Sequence, residues 1–183
     1  TQELLVDMIT RIRGDTKVEW MGNELDFTLP FKQVDMMDEL QLEVRKKLGD
    51  ENFILPDLNS ENAAEEYHNL HTMLNIKPEP PFTLNRLVDN LVGELVEPNC
   101  IQPTFLMNHP LIMSPLAKPH RLDSTKTERN ELFVNGKEIC NAYTDLNNPI
   151  VQKKMFDRIA KQKEGGDNEI PPADDNFVHA LEF

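Results

Sequence analysis

A chain of 183 residues, 39% hydrophobic and 28% charged, is long enough for one globular domain with a buried core. Nineteen Lys and Arg against 32 Asp and Glu leave a formal net charge of -13, a field that repels phosphate backbones and makes this stretch by itself a poor nucleic-acid binder. Cys100 and Cys140 stand outside any CxxC or Cys/His spacing, which argues against a zinc or dithiol motif, and neither an apolar run of membrane-spanning length nor a signal-peptide pattern occurs.

In chain order, the first element is a helix. Leu4, Leu5, Met8, Ile9 and Ile12 recur at three- and four-residue intervals, and Gly14 follows as a stop. Lys17 to Trp20 and Glu24 to Phe27 alternate across Gly22-Asn23 and predict a short hairpin that Pro30 ends. A second helix is expected from Asp35 to Leu48, with Gly49 as its stop. A third is expected from Glu61 to Leu74, with Glu65, Glu66, His68 and Asn69 in water. Pro78, Pro80 and Pro81 close that segment, and Thr83 is a suitable N-cap for a fourth helix carrying Leu84, Leu87, Leu91 and Leu95 on one face. Pro103 to Asn108 reads as a short apolar strand, followed by a long loop from His109 to Thr127, a length that in a compact domain belongs to function or to disorder. Glu131 to Val134 and Lys137 to Asp145 flank Asn135-Gly136, the strongest two-residue hairpin signal. A last helix from about Ile150 to Lys163 ends at Gly165-Gly166, before an acidic tail from Asp167 to Asp175. The fold class is α+β, and thirteen prolines against seven glycines suit a domain with rigid connections.

With Asn135 and Gly136 in the turn, regular pairing sets Val134 opposite Lys137, Phe133 opposite Glu138, Leu132 opposite Ile139 and Glu131 opposite Cys140. Glu131 and Glu138 then share a face as diagonal neighbours. Two convergent carboxylates suit Mg²⁺, which takes one or two carboxylates and completes its shell with phosphate oxygens and water. The plainer reading is two solvated glutamates on an exposed sheet. Asn141, Tyr143 and Asp145 occupy alternate positions and together could grip a small ammonium ligand. They also fit a polar outer face. Strict alternation sets these three on the face opposite Glu131 and Glu138, so a common pocket for all five requires a β-bulge between Glu138 and Asn141.

Three ordered blocks carry a resemblance: Pro103-Thr-Phe-Leu-Met-Asn-His-Pro-Leu-Ile-Met-Ser-Pro-Leu-Ala-Lys118, Thr127-Glu-Arg-Asn-Glu-Leu-Phe133 and Glu138-Ile-Cys-Asn-Ala-Tyr-Thr-Asp-Leu-Asn147. On these the chain resembles class II lysyl-tRNA synthetases, with weaker similarity from Leu4 to Glu182. The resemblance implies an antiparallel-sheet catalytic domain that activates lysine with ATP and passes it to tRNA(Lys). It implies that Glu131 and Glu138 hold Mg²⁺ against the ATP phosphates and that Asn141 and Tyr143 contact lysine. At Asp145 the family has a glutamate that pairs with the lysine ε-ammonium, and at Asn130 it often has an aromatic residue. By the same resemblance residues 1–183 are part of a catalytic domain. About 32–100 form a peripheral helical region, 101–147 carry the active-site residues, and 148–183 lead towards motif 3. Motif 2 is expected before Thr1 and motif 3 after Phe183, so the segment alone is expected to be inactive and to supply no catalytic arginine. The parent is expected to be a cytoplasmic homodimer with no membrane association.

Three other readings compete. One is an aspartyl or asparaginyl relative, and an aspartate pocket needs a basic residue where Asp145 stands. A synthetase-like paralog that attaches lysine to a protein differs outside this stretch, in the anticodon-binding region. A non-enzymatic interaction domain would keep the fold and lack motifs 2 and 3 in the parent reading frame.

Overall fold

The computed structural model describes residues 1–164 and 174–183, so the expected glycine stop and most of the acidic tail lie outside the described residues. The architecture is α+β. A four-stranded sheet has the order β3 (Lys32–Asp35), β4 (Thr104–Met107), β5 (Arg129–Val134), β6 (Lys137–Tyr143); β3 runs parallel to β4, and the other pairs are antiparallel.

Each face of this sheet is covered by elements whose sequence period matches it. On one face lie α2 (Met36–Leu48), α3 (Ala63–Met73) and α4 (Leu84–Leu95). Asp35 caps α2 by accepting bonds from the backbone N–H groups of Met37 and Asp38, and Gly49 ends it at φ 69°. Helix α4 buries Leu87, Val88, Leu91, Val92 and Leu95, and the packed cluster runs from Leu40, Val44, Tyr67 and Leu70 through α4 to Leu106 and Phe133 on the sheet. Residues 36–95 thus supply most of the larger core. As expected, Glu65, Glu66 and Asn69 of α3 face water, whereas His68 is half-buried, its ring 4.9 Å from that of Phe82.

The other face carries Phe105, Leu132 and Val134 against Leu25, Phe27 and Phe31. It is covered by α1 (Gln2–Arg13) through Leu5, Val6 and Ile9. The expected apolar stripe of α1 is therefore split: Leu4, Met8 and Ile12 lie on the outward side, because the sheet takes the turn-by-turn set 5, 6, 9. The N-terminal hairpin is shifted by one residue from its expected position. Strands β1 (Lys17–Trp20) and β2 (Asn23–Asp26) pair Trp20 with Asn23, leaving Met21 and Gly22, both at positive φ, as the turn. Strand β3 was not foreseen; a parallel edge strand of four residues leaves little periodic signal.

The β5–β6 turn is Asn135 (φ 53°) and Gly136 (φ 67°), as the sequence predicts. It is anchored at its tip: Asn135 N–H donates to Ile101 O, Gly136 N–H to Cys100 O, and Asn23 Nδ2 to Asn135 Oδ1 at 2.7 Å. A Cβ at residue 136 would meet only ordinary contacts with Glu97 and Pro98, so Gly136→Ala is a test of backbone strain. It is expected to lower stability by about 1–2 kcal/mol in chemical denaturation, through the left-handed backbone and not through a clash.

Candidate active site

The hairpin contains the bulge that a shared pocket requires. Phe133 pairs with Glu138 and Leu132 with Cys140, so Ile139 is the extra residue, and the ladder continues with Glu131 opposite Asn141 and Arg129 opposite Tyr143. This corrects the regular register, which set Leu132 against Ile139 and Glu131 against Cys140. Ile139, half exposed, has no partner to face. Because residues 129, 131 and 133 share one side of β5, their partners Tyr143, Asn141 and Glu138 share it too. Asp145 lies two residues beyond Tyr143, where the strand continues alongside the loop: Ala117 bridges Asp145, Lys118 N–H donates to Thr144 O at 2.7 Å, and Leu146 N–H donates to Leu116 O.

Glu131 and Glu138 have different surroundings. Glu138 is exposed, whereas Glu131 is buried at 8% exposure and heavily partnered. Glu131 Oε1 accepts from Arg129 Nη2 and from Asn141 Nδ2, the latter at 2.9 Å. Its Oε2 lies 3.0 Å from Nε2 of His109, a fully buried ring whose approach is off the line of an aligned hydrogen bond. Burial works to raise the Glu131 carboxyl, but His109 and Arg129 outweigh it and hold it below its ordinary range. Negative charge accumulates near this face. The Glu97 carboxyl is pushed upward by burial and then by the charges of Asp89, Glu131 and Glu138. Asp89, on α4, is likewise raised, by loss of solvation and by Glu131, although much of its surface stays open to water.

The loop from His109 to Thr127 is built, not slack. It contains a 3-10 turn at Leu111–Met113 and bridges from Pro110 to Lys126 and from Pro119 to Thr127. Lys126 Nζ donates to Asp35 Oδ2 at 2.7 Å, and the same oxygen accepts from Asn108 Nδ2, tying both ends of the loop to the N-terminus of α2. Asn130, opposite in facing to Glu131, borders an open hollow with Met107, His120 and Arg121.

Two residues at the centre of this network, Arg129 and His109, were not singled out from the sequence. Arg129 stands two before Glu131 in a strand and so shares its face, a signal that was legible. Nothing in the spacing of His109 announces its approach to Glu131.

The family described as tRNA synthetases class II (D, K and N) matches residues 1–183. The chain is 40% identical over its whole length to the probable cytoplasmic lysine–tRNA ligase of Vairimorpha ceranae, of which it covers 36%. It is 41% identical to the lysine–tRNA ligase of a Thermotoga species, of which it covers 34%, and 37% identical to lysine–tRNA ligase cla4 of Cladosporium cladosporioides, of which it covers 31%. The chain therefore spans about a third of the length of these relatives. It belongs to the class II tRNA synthetases of the D, K and N group.

Proposed function

We propose that this chain is the section of a lysine–tRNA ligase catalytic domain that holds the amino acid and the metal-bound nucleotide. The observation that carries the reading is the bulged hairpin, which sets Glu131, Glu138, Asn141 and Tyr143 on one face in a family whose similar members are named lysine–tRNA ligases. Residues 101–147 carry the site, and the helical region 32–100 packs beside it on the same face of the sheet.

The charge balance favours lysine over aspartate as the amino acid. The guanidinium on this face, Arg129, is already engaged by Glu131, Asn141, Met113 O and Ser114. What remains is acidic and polar: the exposed Asp145 carboxylate and Tyr143 phenol, and the Asn141 oxygen, which accepts from Arg129 and keeps a second lone pair. An ε-ammonium group is met there by a carboxylate, a phenol and a carbonyl oxygen, whereas a substrate carboxylate would meet like charge.

The residues also fit a magnesium ion. Among the described residues no three His, Cys, Asp or Glu side chains form a ready metal cage. Glu131 and Glu138 on one face are instead the donor set of an ion that completes its shell with phosphate and water. When bound, Mg²⁺ neutralises phosphate charge. The chain's own part is to hold Glu131 ionised and directed, and to place Asn141 and Tyr143 against the amino acid. In this reading ATP, lysine and tRNA(Lys) are the substrates, the parent is a homodimer, and the location is cytoplasmic, as in the names of the Vairimorpha ceranae and Enterocytozoon bieneusi relatives. No helix among the described residues is long and apolar enough to cross a membrane.

The test lies at Asp145 and Glu138. In the full-length ligase, Asp145→Ala is expected to raise the lysine KM tenfold or more, while Asp145→Glu keeps or lowers it, because the longer carboxylate reaches about 1.5 Å further. Glu138→Gln, at an exposed position, is expected to raise the Mg²⁺ concentration needed for activation without changing thermal stability. An unchanged lysine dependence in Asp145→Ala would remove Asp145 as the specificity carboxylate and with it the case for lysine.

A further inference from the structure

Arg129 makes contacts beyond those an isolated ion pair would require. Its Nη2 donates to Glu131 Oε1, its Nε to Asn141 Oδ1 at 3.2 Å, and its Nη1 to both Met113 O and Ser114 Oγ at 3.1 Å. All three guanidinium nitrogens are used, and the side chain is 19% exposed. The four acceptors come from three places: strand β5, strand β6, and the 3-10 turn of the loop.

The geometry points to Arg129 as a positioning residue that fixes Glu131 and Asn141 relative to each other and locks the loop at Met113 and Ser114 onto the same pair. The argument turns on the Asn141 amide. Its Oδ1 accepts from Arg129 while its Nδ2 donates to Glu131 Oε1. Rotating the amide by 180° would set NH₂ against a guanidinium N–H and oxygen against a carboxylate, so only one orientation is compatible with both neighbours. Arg129 and Glu131 thus decide which end of Asn141 faces the amino acid. The planar fork matters here. A lysine at the same position would supply a point charge for Glu131 but could not serve acceptors in four directions. Ser114, only 3% exposed, closes the arrangement from the loop side.

This inference rests on the reading of Asn141 and Glu131 as contacts to lysine and to the metal-bound nucleotide, and the experiment separates the two. In the full-length ligase, lysine affinity is measured by calorimetry without ATP, and the Mg²⁺ requirement for ATP binding by equilibrium titration. Arg129→Gln is expected to weaken lysine at least tenfold and to raise the Mg²⁺ requirement, with Arg129→Lys in between. Adding Asn141→Ala to Arg129→Gln is expected to cost little more, since residues acting as one unit are not additive. A residue needed only for folding would lower thermal stability and leave the lysine affinity of the folded molecules untouched. Should Arg129→Gln fail to fold, Ser114→Ala, which removes one acceptor, is expected to weaken lysine two- to threefold at unchanged thermal stability. The inference is overturned if folded Arg129→Gln binds lysine normally, if its effect and that of Asn141→Ala add, or if Ser114→Ala and Arg129→Lys both bind lysine like the parent. If Asn141→Ala alone leaves lysine binding unchanged, the site reading itself fails and the inference falls with it.

Discussion

Glu131→Gln is expected to cost about 3–4 kcal/mol of folding stability, far more than an isosteric change on an exposed strand. Two solvated glutamates on an exposed sheet, the plainer reading of the sequence, would tolerate the exchange. In the structure the substitution withdraws a charge that Arg129 Nη2, Asn141 Nδ2 and His109 Nε2 surround, and leaves a largely buried guanidinium without its counter-ion. Removing one partner from such a pair costs several kcal/mol because the other charge stays desolvated. The sign with pH follows from the direction of the shift. The Glu131 carboxyl is held below its ordinary value of 4.5 in the folded state. Its contribution is therefore complete above about pH 4.5 and is lost as pH falls through the lower folded value. Denaturation midpoints of the parent and of Glu131→Gln should differ most near neutrality and converge in acid. A constant gap down to pH 3 would mean that the loss is one of shape and not of charge.

The 183-residue chain by itself is expected to give lysine-dependent exchange between ATP and pyrophosphate at background, at least 10²- to 10³-fold below a full-length ligase. Three cations of this region have carboxylate partners. Arg129 is committed to Glu131 and to the loop, Lys126 to Asp35, and Arg121 to Glu128. Charge developing on a transferring phosphate needs cationic donors placed for it, and losing one such donor commonly costs 10²- to 10³-fold. In relatives about three times as long, those donors have room to lie outside the matched third. Robust exchange by the purified segment would require a catalytic cation within residues 1–183 and would overturn the assignment of these groups to structural partners.

The sequence was most informative where a local rule has few solutions. Asn135-Gly136 specified a two-residue turn, and the structure has it, with both φ angles positive. Asp35 and Gly49 marked the ends of α2, and the period of Leu87, Leu91 and Leu95 marked the buried side of α4. Local rules failed where one residue of offset costs little. The N-terminal turn uses Met21-Gly22 in place of Gly22-Asn23, since Gly supplies the second positive φ and the first falls to whichever residue precedes it. The candidate site was legible as residue types on a strand but not as partners. Glu131, Asn141 and their shared face could be framed from parity plus one bulge. That His109, 22 positions earlier, would come within 3.0 Å of Glu131 depends on the path of a loop whose anchors, Lys126 to Asp35 and Arg129 to Met113, span long sequence separations. No period encodes such closures.

The bulge at Ile139 also bears on insertions and deletions. Glu138 and Asn141 are three apart, an odd separation that a regular strand would send to opposite sides, and they share a side only because Ile139 is counted out of the ladder. A chain lacking Ile139 would run Glu138, Cys140, Asn141 as an unbroken alternation, with Cys140 still opposite Leu132 and Asn141 still opposite Glu131. Shortening the strand by this one residue therefore changes its twist and leaves every facing as it was. In a comparison of sequences, hairpins with two or three steps between the carboxylate and the amide would be aligned as differing by a gap, and in space they would present the same groups to the same side.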